Sequence, residues 1–327
     1  MTRLAICPNC TSPEVKIVPA GRLLPFVAKR VLGIEPPTLA TFLPHRAGVH
    51  FTRLARKFPL LRLEHARPLQ CDILICTTCD FVCPALDLGD DQLMRLYHDY
   101  RSDSYNADRI RYEPAYRKLA DLVGKSPGEH RARIAHVEAF LSGVPGAAEV
   151  REVLDFAGAD GRFIPPGLLA RCHCTVYDVS EEQPFRAGIR KVSQLEGLGT
   201  FDYVQLCHLL EHVRSPKTLL QTATRHLAPD GLLYVEVPKE GSKDRIERLR
   251  AGAEAFAIHE HINLYTEKSL AALLEAVGLT VIKMEAADLD VGWCRATVLS
   301  ALAAAQKTAS DIDVHRTSTA QPLTLQR

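Results

Sequence analysis

No stretch of this chain approaches the roughly 20 consecutive apolar residues that a helix needs to cross a bilayer, so a membrane span is not expected. Net charge is nearly absent as well. Forty Lys and Arg stand against 39 Asp and Glu, a formal +1 at pH 7. That leaves no overall electrostatic case for a nucleic acid or a membrane surface as partner. The first residues, MTRLAICPNC, lack the apolar segment of a secretion signal. Without one, the ten cysteines read as thiols or metal ligands in a reducing compartment, and cytoplasm is the expected location. No internal repeat is evident. What is present is a chain of 327 residues, 46% hydrophobic and 24% charged, long enough for two domains and a sizeable core.

The chain is organised around residues 151–163, REVLDFAGADGRF. A short apolar run ends at Asp155 and breaks into Ala157-Gly158-Ala159-Asp160-Gly161. A strand that stops at a carboxylate and turns through small residues lets a ligand approach the backbone. Twenty-three residues after Asp155 a second strand-like run, Cys174 to Asp178, ends in another acid. Tight turn first and ribose-binding acid second is the layout of a nucleoside-binding βαβ unit.

Upstream, Cys7-Pro-Asn-Cys10 is answered by Cys76-Thr-Thr-Cys79 after the apolar run Ile73–Ile75. Two C-x-x-C knuckles can grip opposite sides of a tetrahedral zinc, the pattern of a zinc ribbon. Four cysteines leave no open position, so the expected site is structural; Cys71 and Cys83 are spare candidates. The long separation is no obstacle, because closing a long loop costs little extra free energy. Residues 21–68 read as a basic insertion, with nine Lys or Arg against Glu35 and Glu64, recurrent proline, and Phe26, Phe42, Phe51 and Phe58. Such a segment suits either a solvated, partly helical loop or an anionic partner. Expected boundaries are a ribbon-like domain over 1–85 containing that insertion, a helical segment over 86–141, an α/β domain over 142–305 and a flexible tail over 306–327. Within 86–141, helices are expected from Leu86 with Asp87 as cap, over 113–123 and over 128–141, with the polar residues 101–106 as a loop.

From residue 142 the pattern alternates as an α/β domain should. Strands are expected at 150–156, 174–179, 189–192, 201–207, 231–237, 279–285 and 293–299, with helices at 167–171, 216–227 and 267–277. Ligands of an open parallel sheet bind beyond the carboxyl ends of its strands. The fourth strand ends in Cys207-His208-Leu-Leu-Glu211-His212, and His259-Glu260-His261 follows the fifth. Both clusters therefore fall at one edge, where His and Glu can serve as a general base or hold a metal.

FDYVQLCHLLEHVRSPKTLL, LAPDGLLYVEVP and EHINLYTEKSLAALLEAVGL together resemble a class I S-adenosylmethionine-dependent methyltransferase. The branch resembled carries an N-terminal zinc ribbon, and CTTCDFVCPALDLGDDQLMRLYHDY is similar to its ribbon exit. The resemblance implies a Rossmann-like seven-stranded sheet with the last strand antiparallel, preceded by the ribbon and a helical N-terminal region. It implies S-adenosylmethionine held by the Asp155 turn (Gly158, Gly161), by Asp178 on the ribose, and by His208. The family's D-x-G-x-G-x-G motif has Ala157 and Ala159 at its first two glycine positions here, and a shifted turn would avoid the cost of φ > 0 at alanine. Ribbon-bearing members include sugar C-methyltransferases of greater length, so a chain ending at Arg327 leads us to expect another acceptor. The reading is methyl transfer to O or C of a small molecule or carrier-linked metabolite. His259 and His261 are the first candidates for the base, with His208 and Glu260 beside them, and Cys7, Cys10, Cys76 and Cys79 hold zinc. The alternatives are a non-catalytic module that recognises an anionic polymer through its basic insertion, and a nicotinamide-dependent oxidoreductase.

Overall fold

A computed structural model describes residues 3–36 and 67–305. Two sheets form. The larger has seven strands in the order β10-β11-β8-β7-β4-β5-β6. These are β4 (Glu152–Phe156), β5 (His173–Tyr177), β6 (Arg190–Val192), β7 (Phe201–Cys207), β8 (Leu227–Pro238), β10 (Leu279–Asp290) and β11 (Arg295–Ala305). Strands β4 to β8 run parallel, and the last strand, β11, inserts antiparallel between β8 and β10. This is the expected mostly parallel sheet; its central strands β4, β7 and β8 are largely buried as two-face-covered strands must be, while the edge strand β6 is exposed to half-buried.

The smaller sheet has the order β3-β2-β1-β9, with β1 (Val15–Leu23), β2 (Leu69–Cys76), β3 (Val82–Pro84) and β9 (Phe256–Ile258). Strand β9 was not anticipated. It is three residues long and comes from the α/β part of the chain, yet it pairs parallel with β1 through Gly21↔Phe256 and Leu23↔Ile258. Three residues are too few to show a period, so only the pairing partner marks it as a strand. The two sheets also share one apolar core. Cys7, Cys76, Cys79 and Phe81 lie in the same cluster as Leu206, Val235, Tyr265 and Leu270, and the Phe81 and Tyr265 rings meet edge-on at 5.3 Å.

In the first 120 residues the structure differs from the sequence reading at three further places. Residues 21–23 complete β1, and Pro25–Leu32 is a helix with Phe26, Val27, Ala28 and Val31 buried. The start of the expected insertion is thus core. Its basic side chains masked an apolar face at helical spacing, and Pro25 supplies the first-turn proline. Phe42, Phe51, Phe58 and the tail 306–327 lie outside the described residues. Second, the expected loop at 101–106 opens a helix, Asp103–Tyr112, because Ser102 caps it by accepting the Tyr105 N–H at 3.2 Å. The helix expected at 113–123 is only a 3₁₀ turn over Pro114–Lys118. Third, the helix after the ribbon begins at Asp90 rather than near Asp87, and Asp87 instead holds Arg214 at 2.6 and 2.9 Å.

The buried helix makes a direct test. Phe26 has no exposed surface and packs edge-on against Tyr105 at 4.9 Å. Phe26→Ala should lower unfolding free energy by about 3–5 kcal/mol in urea titration. A solvated insertion would leave it unchanged.

Candidate functional site

Asp155 is the fourth residue of β4 and is 1% exposed. Neither of its carboxylate oxygens has a hydrogen-bond partner among the described residues. It lies under the turn so closely that a Cβ on Gly158 would sit 2.1 Å from its Cγ, so only glycine fits there. Burial, reinforced by Asp178 and Asp160 and opposed by Gln205, pushes the Asp155 carboxyl up to about 7. The turn is not shifted. Ala157 and Ala159 both take left-handed conformations, φ 57° and 52°, each costing about 1 kcal/mol or more. One backbone and one side-chain acceptor hold them there: Ala157 N–H donates to Tyr177 O at 2.7 Å and Ala159 N–H to the Asp178 carboxylate Oδ2 at 2.9 Å. Strain retained in this way marks a loop whose shape is used. Asp178 Oδ1 accepts the Ser180 N–H at 2.7 Å, which aims the half-buried carboxylate and leaves lone pairs for a ligand's hydroxyls.

One strand over, Asp155 is in register with Gln205 on β7, and the chain leaves β7 at His208. That residue is also left-handed, φ 52°, pinned by its N–H to Glu236 O at 2.8 Å. Its Nδ1 lies 3.2 Å from Glu211 and its Nε2 3.1 Å from Glu236, close ion-pair contacts without hydrogen-bond alignment. Burial and the Arg133 guanidinium oppose charge on His208, but the two carboxylates outweigh them and raise its pKa. Burial likewise works against Glu211, yet His208 leads the imidazoles that hold it down to about 2. Arg133 reaches Glu236 at 2.8 Å from the helix Pro127–Leu141, and Tyr234 Oη donates to the other oxygen at 2.9 Å. Arg133 and a cationic His208 balance Glu236 and Glu211 in charge. Removing one member would strand the rest.

The second cluster stands beside it. His212 and His261 rings are 5.0 Å apart, and His259 and His261 4.5 Å. Glu211, His212 and His261, and separately Glu240, His259 and His261, bring ligand atoms within 4.8 Å of one another. Burial lowers His212 to about 4, and its Nδ1 meets Glu260 O at 3.0 Å. Glu260 is itself buried. His259 and Arg109 overcome that burial and hold it near 2, with Arg109 Nη1 and Tyr105 Oη on its Oε1. His261 Nδ1 lies 2.7 Å from Glu240 Oε1. A carboxylate only accepts, so that nitrogen carries the proton and Nε2 keeps the lone pair. His259 Nδ1 is ambiguous, with Glu260 Oε2 at 3.2 Å and the His261 N–H at 3.3 Å competing for it. The structure therefore gathers His208, Glu211, His212, His259, Glu260 and His261 at the edge where Asp155 and Asp178 also end. Sequence reasoning missed Glu236, Arg133, Glu240 and Arg109. The one available signal was an acid inside the apolar run Val235-Glu236-Val237.

Apart from this edge, Cys7 Sγ lies 3.8 Å from Cys79 Sγ and Cys10 Sγ 3.7 Å from Cys76 Sγ, with all four sulfurs within 4.8 Å of one another. Cys71 and Cys83 are not part of the group. Asn9 Nδ2 approaches the Cys79 sulfur at 3.7 Å, and the Cys79 N–H the Cys76 sulfur at 3.4 Å.

A family model described as a methyltransferase domain matches residues 115–284, more than half of the chain. C-methyltransferase NovU of Streptomyces niveus is 27% identical over 234 residues, 68% of this chain and 49% of the relative. The chain thus spans about half the length of that curated relative. Among solved structures, 1,6-didemethyltoxoflavin-N1-methyltransferase of Burkholderia thailandensis has 21% identity and a TM-score of 0.43, covering 61% of this chain and 87% of its own. Magnesium protoporphyrin IX methyltransferase of Synechocystis PCC 6803 has 12% identity and a TM-score of 0.42, covering 62% and 99%.

The raised Asp155 has a stability consequence with a definite sign. Between about pH 4, the unfolded value, and about 7, the folded chain holds a proton that the unfolded chain has released. Stability of the ligand-free protein should therefore fall as pH rises through that window. Asp155→Asn should remove this slope and melt higher than the parent at pH 8. An identical pH slope in both proteins would place the titration elsewhere.

Proposed function

The chain belongs to the methyltransferase domain family and is a class I S-adenosylmethionine-dependent methyltransferase, and from this we propose a base-assisted transfer to O or C of a small molecule or carrier-linked metabolite. The cofactor fits the residues present: a buried, orphaned Asp155 carboxylate, a turn with no room for a Cβ at Gly158, and an aimed Asp178. Asp155, Gly158, Gly161, Asp178 and His208 are the residues that would hold it. When bound, S-adenosylmethionine supplies an electrophilic methyl on a sulfonium, open to in-line attack. The protein's part is to exclude water, place the acceptor and take its proton. With a methyltransferase in hand, the readings as an oxidoreductase or a non-catalytic module fall away.

The observation that carries the proposed chemistry is the Glu240–His261 pair. Glu240 orients the ring and stabilises the imidazolium formed when Nε2 takes a proton. His261 is accordingly the preferred base, and His259, backed by Glu260, shapes the same pocket. His208, held between Glu211 and Glu236, serves the cofactor side as a fixed positioning group. The C-methyltransferase relative supports carbon as the acceptor atom, and the end of this chain gives no reason against it. For the cysteines, a tetrahedral ion with bonds of about 2.3 Å separates sulfurs by about 3.8 Å, which supports structural zinc at Cys7, Cys10, Cys76 and Cys79.

Two measurements test this reading. Asp178→Ala removes two hydrogen bonds to ribose hydroxyls and should weaken S-adenosylmethionine binding about 10-fold or more by calorimetry. Unaltered affinity would place the ribose elsewhere. His261→Ala should cut turnover about 100-fold or more with cofactor affinity retained, and His259→Ala less. Normal rates in both variants would assign the base to another group.

A further inference from the structure

The loop that carries His259, Glu260 and His261 is anchored at both ends by the small sheet. On its amino side, β9 pairs with β1, and the Leu24 N–H donates to Ile258 O at 3.0 Å. On its carboxyl side, Leu264 N–H donates to Val82 O at 2.9 Å, and Val82 N–H returns to Leu264 O at 3.4 Å. Five residues, 259–263, thus span between two strands of the N-terminal sheet. Those same strands close on the cysteines: β1 begins at Val15 opposite Cys76, and Val82 lies three residues beyond Cys79.

Two side chains extend the connection. Asn9, fully buried between two of the cysteines in sequence, donates to Ser269 O at 2.8 Å in the first turn of the helix that follows the loop. Arg250, ending the helix before β9, donates to Asp80 at 2.7 Å beside Cys79. By contrast, among the described residues no backbone hydrogen bond from residues 3–36 or 67–84 reaches β4, β5 or the turn between them. Backbone hydrogen bonds therefore fasten the small sheet to the base-bearing loop, whereas, among the described residues, β4 and the cofactor turn meet it only through the shared apolar core.

We propose that the four-cysteine module acts as a positioning element for catalysis: metal at Cys7, Cys10, Cys76 and Cys79 sets the register of β1, β2 and β3, and that register holds residues 259–263 over the site. This rests on the reading of His261 as the base and of the cysteines as zinc ligands. Misplacing a catalytic group by about 1 Å costs on the order of 100-fold in rate, so a loop fixed at both ends by backbone pairing is worth a dedicated module. Loss or oxidative release of the metal would then silence the enzyme while leaving cofactor binding intact.

The test compares the full chain with Cys76→Ser and Leu24→Pro by hydrogen exchange over residues 256–264 and 152–178, with S-adenosylmethionine affinity and zinc content measured on each. Leu24 has φ −65° and stands before a proline already, so Leu24→Pro deletes one anchoring N–H without backbone strain. Exchange over 256–264 should rise about fivefold or more in Leu24→Pro, as losing one net hydrogen bond predicts, and further in Cys76→Ser. Diethyl pyrocarbonate should modify His261 faster in both. Exchange over 152–178 and cofactor affinity should stay within about twofold, and Leu24→Pro should keep its zinc. Unchanged exchange at 256–264 in both variants overturns the proposal, and so does equal loosening of 152–178, which marks a general loss of stability. Failure of the underlying reading shows separately, as parent protein without zinc or without cofactor binding, and the Leu24→Pro comparison still decides whether the anchor holds the loop.

Discussion

The parallel pairing of Phe256–Ile258 with β1 is the constraint on which the architecture turns. A segment of the α/β part completes the sheet of the cysteine module, so the small sheet is not finished without the larger part of the chain. The shared core follows from it, with Cys7, Cys79 and Phe81 packed among Tyr265, Leu270 and Leu273. A small four-stranded sheet has little apolar surface of its own to bury. Here it is covered by the larger domain, and in return it supplies backbone partners at both ends of a loop whose middle is held by the Glu211 carbonyl, which accepts the Ile262 and Asn263 N–H groups.

Charge at the carboxyl edge is the second constraint. Of four acids here, Glu211, Glu236 and Glu260 are buried and Glu240 is half-buried, and burying carboxylates is costly unless they are paired. Each is held ionised by a specific neighbour: His208, Arg133, His261, and His259 with Arg109, respectively. These pairs give the site its geometry more than its stability. They set which ring nitrogen carries a proton at His261, and they immobilise His208, whose left-handed backbone has no intrinsic preference for that place. Asp155 is the exception. Burial, with Asp178 and Asp160 nearby, outweighs the Gln205 side chain and the Arg133 charge, so it is the one buried acid of this edge pushed upward, to about 7.

The cofactor turn shows how hydrogen bonds can replace residue preference. Glycine at 157 and 159 would adopt positive φ freely, whereas alanine must be held there. Tyr177 O at the end of β5 and the carboxylate of Asp178 just beyond it supply the holding bonds.

Much of this was legible in the chain. The alternation of apolar runs and caps located β4, β5 and β7 to within about two residues, the usual boundary error, and the acid-turn-acid spacing picked out Asp155 and Asp178. The paired C-x-x-C knuckles identified the four sulfurs that meet. These are local features: a period, a spacing or a two-residue gap states its own meaning. What the tertiary structure alone decided is which distant groups face each other. Arg133 and Glu236 are 103 residues apart, Arg109 and Glu260 151, and β9 becomes a strand only because β1 lies alongside. Glu240 was an unremarked polar residue until packing placed it on His261. Sequence patterns report which side of an element is apolar and where the backbone can turn. An ion pair or a strand pairing depends on relative position across the fold, and that is fixed only once both cores have formed around the same loop.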